Sequence, residues 1–295
     1  MRRWVAIVRA TALEMLSEPL SLLVMLAALA LEVLAPAFHY HQFGEPTRMA
    51  RDAGLSALFT CGGVFAVFAT IRAFRREVES GTLEMALAHP VSRAGFFLAK
   101  TLGAAFAYVL FACVVAATSV VIVDGAAIGG EISRRSGDIA RLYGPSFAAG
   151  VAVMILPLVV GAAFNRFARC RFVLSTFVVS FALSASAAAA SVVHNPALAA
   201  RLAPAFALIA LTGFVFVASA AAFAVRMRAN AAAACVGVVA LLMLPAMGNY
   251  YIADALSNGG TVPWPYVGLA VAATAPAAAF FLLAGIRFMG DGDIA

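Results

Sequence analysis

The sequence predicts an all-α polytopic membrane protein, and three observations carry that prediction. The chain of 295 residues is 64% hydrophobic and only 12% charged, where a soluble domain carries about 25% charge. Its mean hydropathy is +0.99. The charges fall in short clusters between apolar runs of about twenty residues, the length that crosses a hydrocarbon core. About eight such runs are legible, so residues 1–295 read as one transmembrane domain with no room for a separate soluble one.

Residues 1–19 open the chain as an amphipathic interfacial helix. Trp4, Ile7, Val8 and Leu13 suit the lipid interface, while Arg2, Arg3 and Arg9 meet headgroups. Arg9 and Glu14 interrupt the apolar run and no small-residue cleavage site follows, so a cleaved signal peptide is not expected. Glu18-Pro19 breaks the helix. Spans are then expected at about 20–38, 55–74 and 94–123, with a polar loop at 39–52. Residues 124–146 read as a charged, glycine-containing external loop. Further spans are expected at about 147–164, 172–193, 204–225, 231–249 and 266–286. The basic links NRFARCR (Asn165–Arg171) and RMRAN (Arg226–Asn230) resemble each other, as though a hairpin had been added to six spans. The alternative is that one of these segments is re-entrant or interfacial. The fifth span, with SASAAAAS at Ser184–Ser191, is the least hydrophobic, although such small residues also permit close helix packing.

Eight spans place both termini on one side, and the basic residues identify it. The N-terminal side carries fourteen of the twenty Lys and Arg residues and the opposite side six. By the positive-inside rule the fourteen face the cytoplasm. The net charge of +6 is explained by this asymmetry and does not call for a nucleic-acid partner.

One cytoplasmic stretch has more than loop composition. Residues 75–93 lie within RREVESGTLEMALAHPVSRAGFFLAK, which runs from Arg75 to Lys100. Ser80 and Gly81 suit a helix start, and Glu84 favours the positive end of its dipole. Leu83 and Leu87 share a face at i, i+4. Pro90 ends the helix, and Ser92 suits the cap of the next one, which opens with Arg93. The stretch predicts a short amphipathic helix at the membrane surface between the second and third spans.

Glu79-Ser80-Gly81-Thr82-Leu83-Glu84, with Pro90-Val91-Ser92-Arg93 and Lys100, resembles the signature of ABC-2-type transporter permeases. In that family the element is the coupling helix, which docks on a cytoplasmic ATPase. The resemblance assigns Glu79, Ser80, Gly81, Thr82, Leu83, Glu84, Leu87, Pro90, Ser92 and Arg93 to ATPase coupling. Pro245–Val267 resembles the external segment of permeases for multicopper-enzyme maturation, a group related to the nitrous-oxide-reductase maturation permease. These resemblances imply a permease subunit in a bacterial cytoplasmic membrane that moves or extracts a substrate, exporting rather than importing. ATP and Mg²⁺ would be bound by a separate ATPase chain. A second permease copy or paralogue would complete a dimer, and an external accessory protein is a further candidate partner.

The residues exclude other classes. There is no GxxxxGK[ST] phosphate loop and no HExxH or GxSxG motif, so the chain is not expected to be an enzyme or to hold a cofactor. Cys61, Cys113, Cys170 and Cys235 are scattered singly, which indicates neither a disulfide framework nor a thiolate metal site. His39 and His41 lack evident third and fourth ligands, and Met243 with Met247 reads as packing, so no metal site is expected. Glu32 is the acidic residue well inside a span. It either lines a pathway, or snorkels outward or pairs with Arg48 or Arg51. Two other function classes stay open: an ATP-independent secondary transporter or channel, and a non-transporting anchor that transmits ATPase motion across the membrane.

Overall fold

The computed structural model describes residues 2–35, 46–79, 92–136, 144–246 and 262–290. Among them every regular element is a helix. These are α1 (Arg2–Ser17), α2 (Pro19–Leu34), α3 (Pro46–Glu79), α4 (Arg93–Ser136), α5 (Gly144–Ala168), α6 (Phe172–His194), α7 (Pro196–Arg226), α8 (Ala229–Ala246) and α9 (Trp264–Gly290). Helices suit a bilayer because each satisfies its backbone N–H and C=O groups within one segment. Buried hydroxyls follow the same logic: Thr101 donates to the Phe97 carbonyl at 2.9 Å and Thr118 to that of Val114 at 2.9 Å.

Six described helices, α3 to α7 and α9, are long and apolar enough to cross a membrane. The α1–α2 pair makes a seventh crossing only if the two are counted together as one bent span. Their break falls at Glu18-Pro19, as the sequence indicates, with Pro19 in the first turn of α2 where its missing N–H is harmless. The crossing expected at 231–249, the seventh along the chain, falls on α8. The apolar stretch described there is only Ala229–Leu241, within an 18-residue helix, so α8 is not among the six candidate crossings.

Three expected loops are partly helical. The loop at 39–52 gives way to α3 from Pro46, whose ring suits a first turn. The short turn expected before 204 is helical from Pro196, so Pro204 lies inside α7. The loop expected at 124–146 is helical as far as Ser136. Two features carry α4 onward there. Gly125 packs against the Ser146 backbone, where a Cβ would stand 2.8 Å from the Ser146 Cα. Glu131 and Arg135 form an i, i+4 pair at 2.7 Å.

The chain divides into two compact units. One comprises Met1–Leu16, Gly63–Val109 and Ala210–Ala295. Its core is rich in aromatic rings, among them buried Phe65, Phe97, Tyr108 and Phe216. Tyr108 meets Phe214 edge-on at 5.9 Å. Small residues let helices approach in this unit: a Cβ on Gly103 would lie 2.6 Å from the Val8 carbonyl oxygen.

The other unit comprises Ser17–Gly62 and Leu110–Ile209. Here α5 lies along α6, and α2 packs on α5 with Val33 against Gly150. The outer faces of α5 and α6 present Ile155, Leu156, Val159, Val178 and Phe181. Exposed apolar side chains in such number suit a lipid surround rather than water.

Candidate functional site

The centre of the expected coupling segment, Ser80, Gly81, Thr82, Leu83, Glu84, Leu87 and Pro90, lies outside the described residues. Glu79 is the last residue of α3. The structure describes the frame on either side of the segment, and all of that frame belongs to the unit that contains Gly63–Val109.

On the far side, Ser92 caps α4. Its Oγ accepts the Gly95 N–H at 3.1 Å and its carbonyl accepts the Phe96 N–H at 2.9 Å. Two of the helix's initial N–H groups are thereby satisfied, the cap expected from the sequence. Arg93 then donates through Nη1 to the Met289 carbonyl at 3.1 Å, in the last turn of α9. On the near side, Arg75 donates to the Met227 carbonyl at 3.4 Å, just past the end of α7. Both acceptors are carbonyls at helix C-terminal ends, where orphan C=O groups and the negative end of the dipole favour a guanidinium.

The strongest feature of the frame joins α3 to α4 directly. Lys100 is 0% exposed, and its Nζ meets the Glu77 carboxylate at 2.5 Å. The same ammonium stands 5.4 Å from the Phe74 ring centre and 5.8 Å from that of Phe96, a cation–π surround. Phe74 and Phe97 touch at 5.6 Å beside it. One residue before Glu77, Arg76 reaches Glu14 of α1 at 3.3 Å. A lysine taken wholly from water persists charged only with such a partner. Glu77 is three residues before the segment's undescribed part, and Lys100 lies shortly after it. The pair therefore clamps the two helices between which residues 80–91 are strung.

Sequence reasoning took Lys100 as part of the family signature and did not assign Glu77 a role. One signal was present. A lysine in the run FFLAKTLGAAF needs a carboxylate, and the nearest acids in the chain are those of the polar stretch. No spacing rule chooses among them.

Glu32 lies in α2, in the other unit, and is 0% exposed. Neither of its carboxylate oxygens has a hydrogen-bond partner among the described residues. The nearby hydroxyl of Ser119 is donated to the Val115 carbonyl at 3.0 Å. Arg48 and Arg51 meet Asp52, at 4.0 Å and 3.1 Å. The carboxyl is therefore neither snorkelled into the open nor paired with these arginines. An unsatisfied acid inside a membrane helix bundle is costly, and such groups concentrate on transport pathways. His39 and His41 lie outside the described residues, as does Met247.

A family model described as ABC-2 family transporter protein matches residues 15–285. No curated protein and no solved structure matches the chain.

Proposed function

The chain belongs to the ABC-2 family of transporter proteins, and from that premise we propose that it is a permease subunit whose work is driven by ATP hydrolysed on a separate cytoplasmic chain. The family and the six candidate spans support a membrane permease component of an ABC transporter. The finer reading rests on the clamp at the ends of residues 80–91. A partner closing on this segment would push on α3 and α4 together, because Glu77–Lys100 and Phe74–Phe97 join them. Closely packed helices switch between arrangements rather than deform smoothly, so a push at their ends would tilt both as one body. ATP and Mg²⁺ belong to the partner in this reading, and a second permease subunit completes the transporter. The likeness of Pro245–Val267 to multicopper-enzyme-maturation permeases supports that subgroup and an exporting direction.

Six, seven and eight crossings differ in which parts of the chain share a side, so topology is the first test. In a cysteine-free background, cysteines at Ser80 and Arg228 are expected to resist an impermeant thiol reagent in intact bacterial cells. Cysteines at Ser136 and Ser257 are expected to react. The same membranes, solubilised mildly, should yield the permease together with a cytoplasmic ATPase subunit. Labelling at Ser80 from outside would overturn the proposal.

Glu32 supplies a separate expectation. If its carboxyl lines the route, Glu32→Gln leaves insertion and subunit assembly intact but changes the substrate-stimulated ATPase activity of the reconstituted complex. An unaltered activity profile with normal assembly removes Glu32 from the pathway.

A further inference from the structure

The turn between α5 and α6 carries chemistry that coupling does not use. Arg166, Phe167, Arg169 and Arg171 follow within six residues and are all exposed, Phe167 at 85%. Among the described residues none of these three guanidinium groups has an ion pair or hydrogen bond. Phe164, three residues before Phe167 and on the same side of the helix, is also exposed. Arg169 takes a φ of 53°, a left-handed conformation that ends α5 and turns the chain into α6. The turn is held from within: the Cys170 N–H donates to the Phe164 carbonyl at 3.5 Å, and Ser175 Oγ caps the Arg171 carbonyl at 2.9 Å.

The hairpin below this tip decides the medium around it. Its outward side chains, Ile155, Leu156, Val159, Val178 and Phe181, are apolar over most of its length. They need acyl chains, and the tip beyond them therefore stands where hydrocarbon gives way to headgroups. At that depth aromatic rings are at home at the boundary, and unpaired guanidinium groups meet lipid phosphates in bidentate geometry. An acidic protein surface would satisfy the arginines equally well, but it would leave Phe164 and Phe167 without an apolar seat. The combination of two exposed rings and three guanidinium groups without a partner among the described residues favours lipid.

We propose that the α5–α6 turn is a binding site for anionic phospholipid, with Arg166, Arg169 and Arg171 on the headgroup phosphates and Phe164 and Phe167 at the acyl boundary. The site fixes the depth of the hairpin in its leaflet and makes it responsive to anionic lipid content.

The test uses the full-length chain reconstituted in phosphatidylcholine vesicles doped with brominated lipid, which quenches tryptophan on contact. The chain has two tryptophans, so Phe167→Trp on a Trp4→Phe, Trp264→Phe background leaves one reporter at the tip. Brominated phosphatidylglycerol is expected to bind beside it at least about threefold more tightly than brominated phosphatidylcholine, with the preference weakened by high salt. Replacing Arg166, Arg169 and Arg171 together by Gln should bring the ratio to about one, while replacing all three by Lys should retain most of the preference. The lysine variant, monodisperse on size exclusion, separates loss of charge from loss of fold. Equal quenching by the two lipids, or a preference that survives the glutamine changes, overturns the proposal. Absence of quenching by either lipid also overturns it, because the tip would then lie in water or against a protein.

Discussion

Glu77→Gln is expected to destabilise the protein by about 3–5 kcal/mol, the range for removing one partner of a buried ion pair. The reason lies in the asymmetry of the pair. Lys100 is 0% exposed whereas the Glu77 side chain is 29% exposed. Removing the carboxylate strands a charged ammonium among Phe74 and Phe96, whose rings compensate only in part, by about 2 kcal/mol or somewhat more when desolvated. Lys100→Met should be milder, since the remaining carboxylate is within reach of water. Converting the pair to Glu77→Leu with Lys100→Met should recover most of the loss, because well-packed apolar replacements of buried ion pairs are neutral or stabilising. With the Glu77→Leu single variant added, thermal unfolding of wild type, Glu77→Leu, Lys100→Met and their combination in one detergent completes a double-mutant cycle. The clamp is disproved if Glu77→Gln is no worse than Lys100→Met and the two changes of the cycle add.

On the coupling role proposed above, Leu83→Ala with Leu87→Ala is expected to weaken recruitment of the ATPase subunit strongly while the permease still inserts. The two leucines stand at i, i+4 in the segment that both ends of the clamp hold. Interface energy concentrates in a few desolvated anchors, each worth roughly 2 kcal/mol or more on truncation. Loss of both corresponds to about a thousandfold in affinity at 1.4 kcal/mol per decade. Glu79→Ala should cost far less, since an exposed ion pair contributes about 0–1 kcal/mol. Co-purification of the ATPase with each variant, beside a check of membrane insertion, reads the difference. If the double leucine variant keeps its partner at undiminished affinity, the segment is only a connecting loop.

Some features of this protein are decided within a few residues, and these were legible in the sequence. Apolar runs in an environment without water must become helices, so the all-α class follows from composition and charge spacing. The break at Glu18-Pro19 follows from a ring that lacks an N–H, and the Ser92 cap from a hydroxyl one residue before a helix. The extent of the helices was less legible. The glycines and charges from Asp124 onward read as a loop, yet α4 continues to Ser136, where Gly125 packs against Ser146 and Glu131 pairs with Arg135. Local propensity favours a turn there, and neighbouring helices outweigh it.

The partners of these charged groups were beyond the sequence altogether. Lys100 demanded a carboxylate, but only the packing of α4 beside α3 selects Glu77. Arg75 and Arg93 find carbonyls of Met227 and Met289, more than 150 residues along the chain in both cases by their separations of 152 and 196. Glu32 shows the converse: the Ser119 hydroxyl beside it is donated to the Val115 carbonyl, and neither carboxylate oxygen has a hydrogen-bond partner among the described residues. Hydrophobic periodicity carries information about which face of a helix is buried. It carries none about which charges meet across the chain, because that depends on the register and approach of helices remote in sequence, set by the packing of side chains such as Phe74 on Phe97.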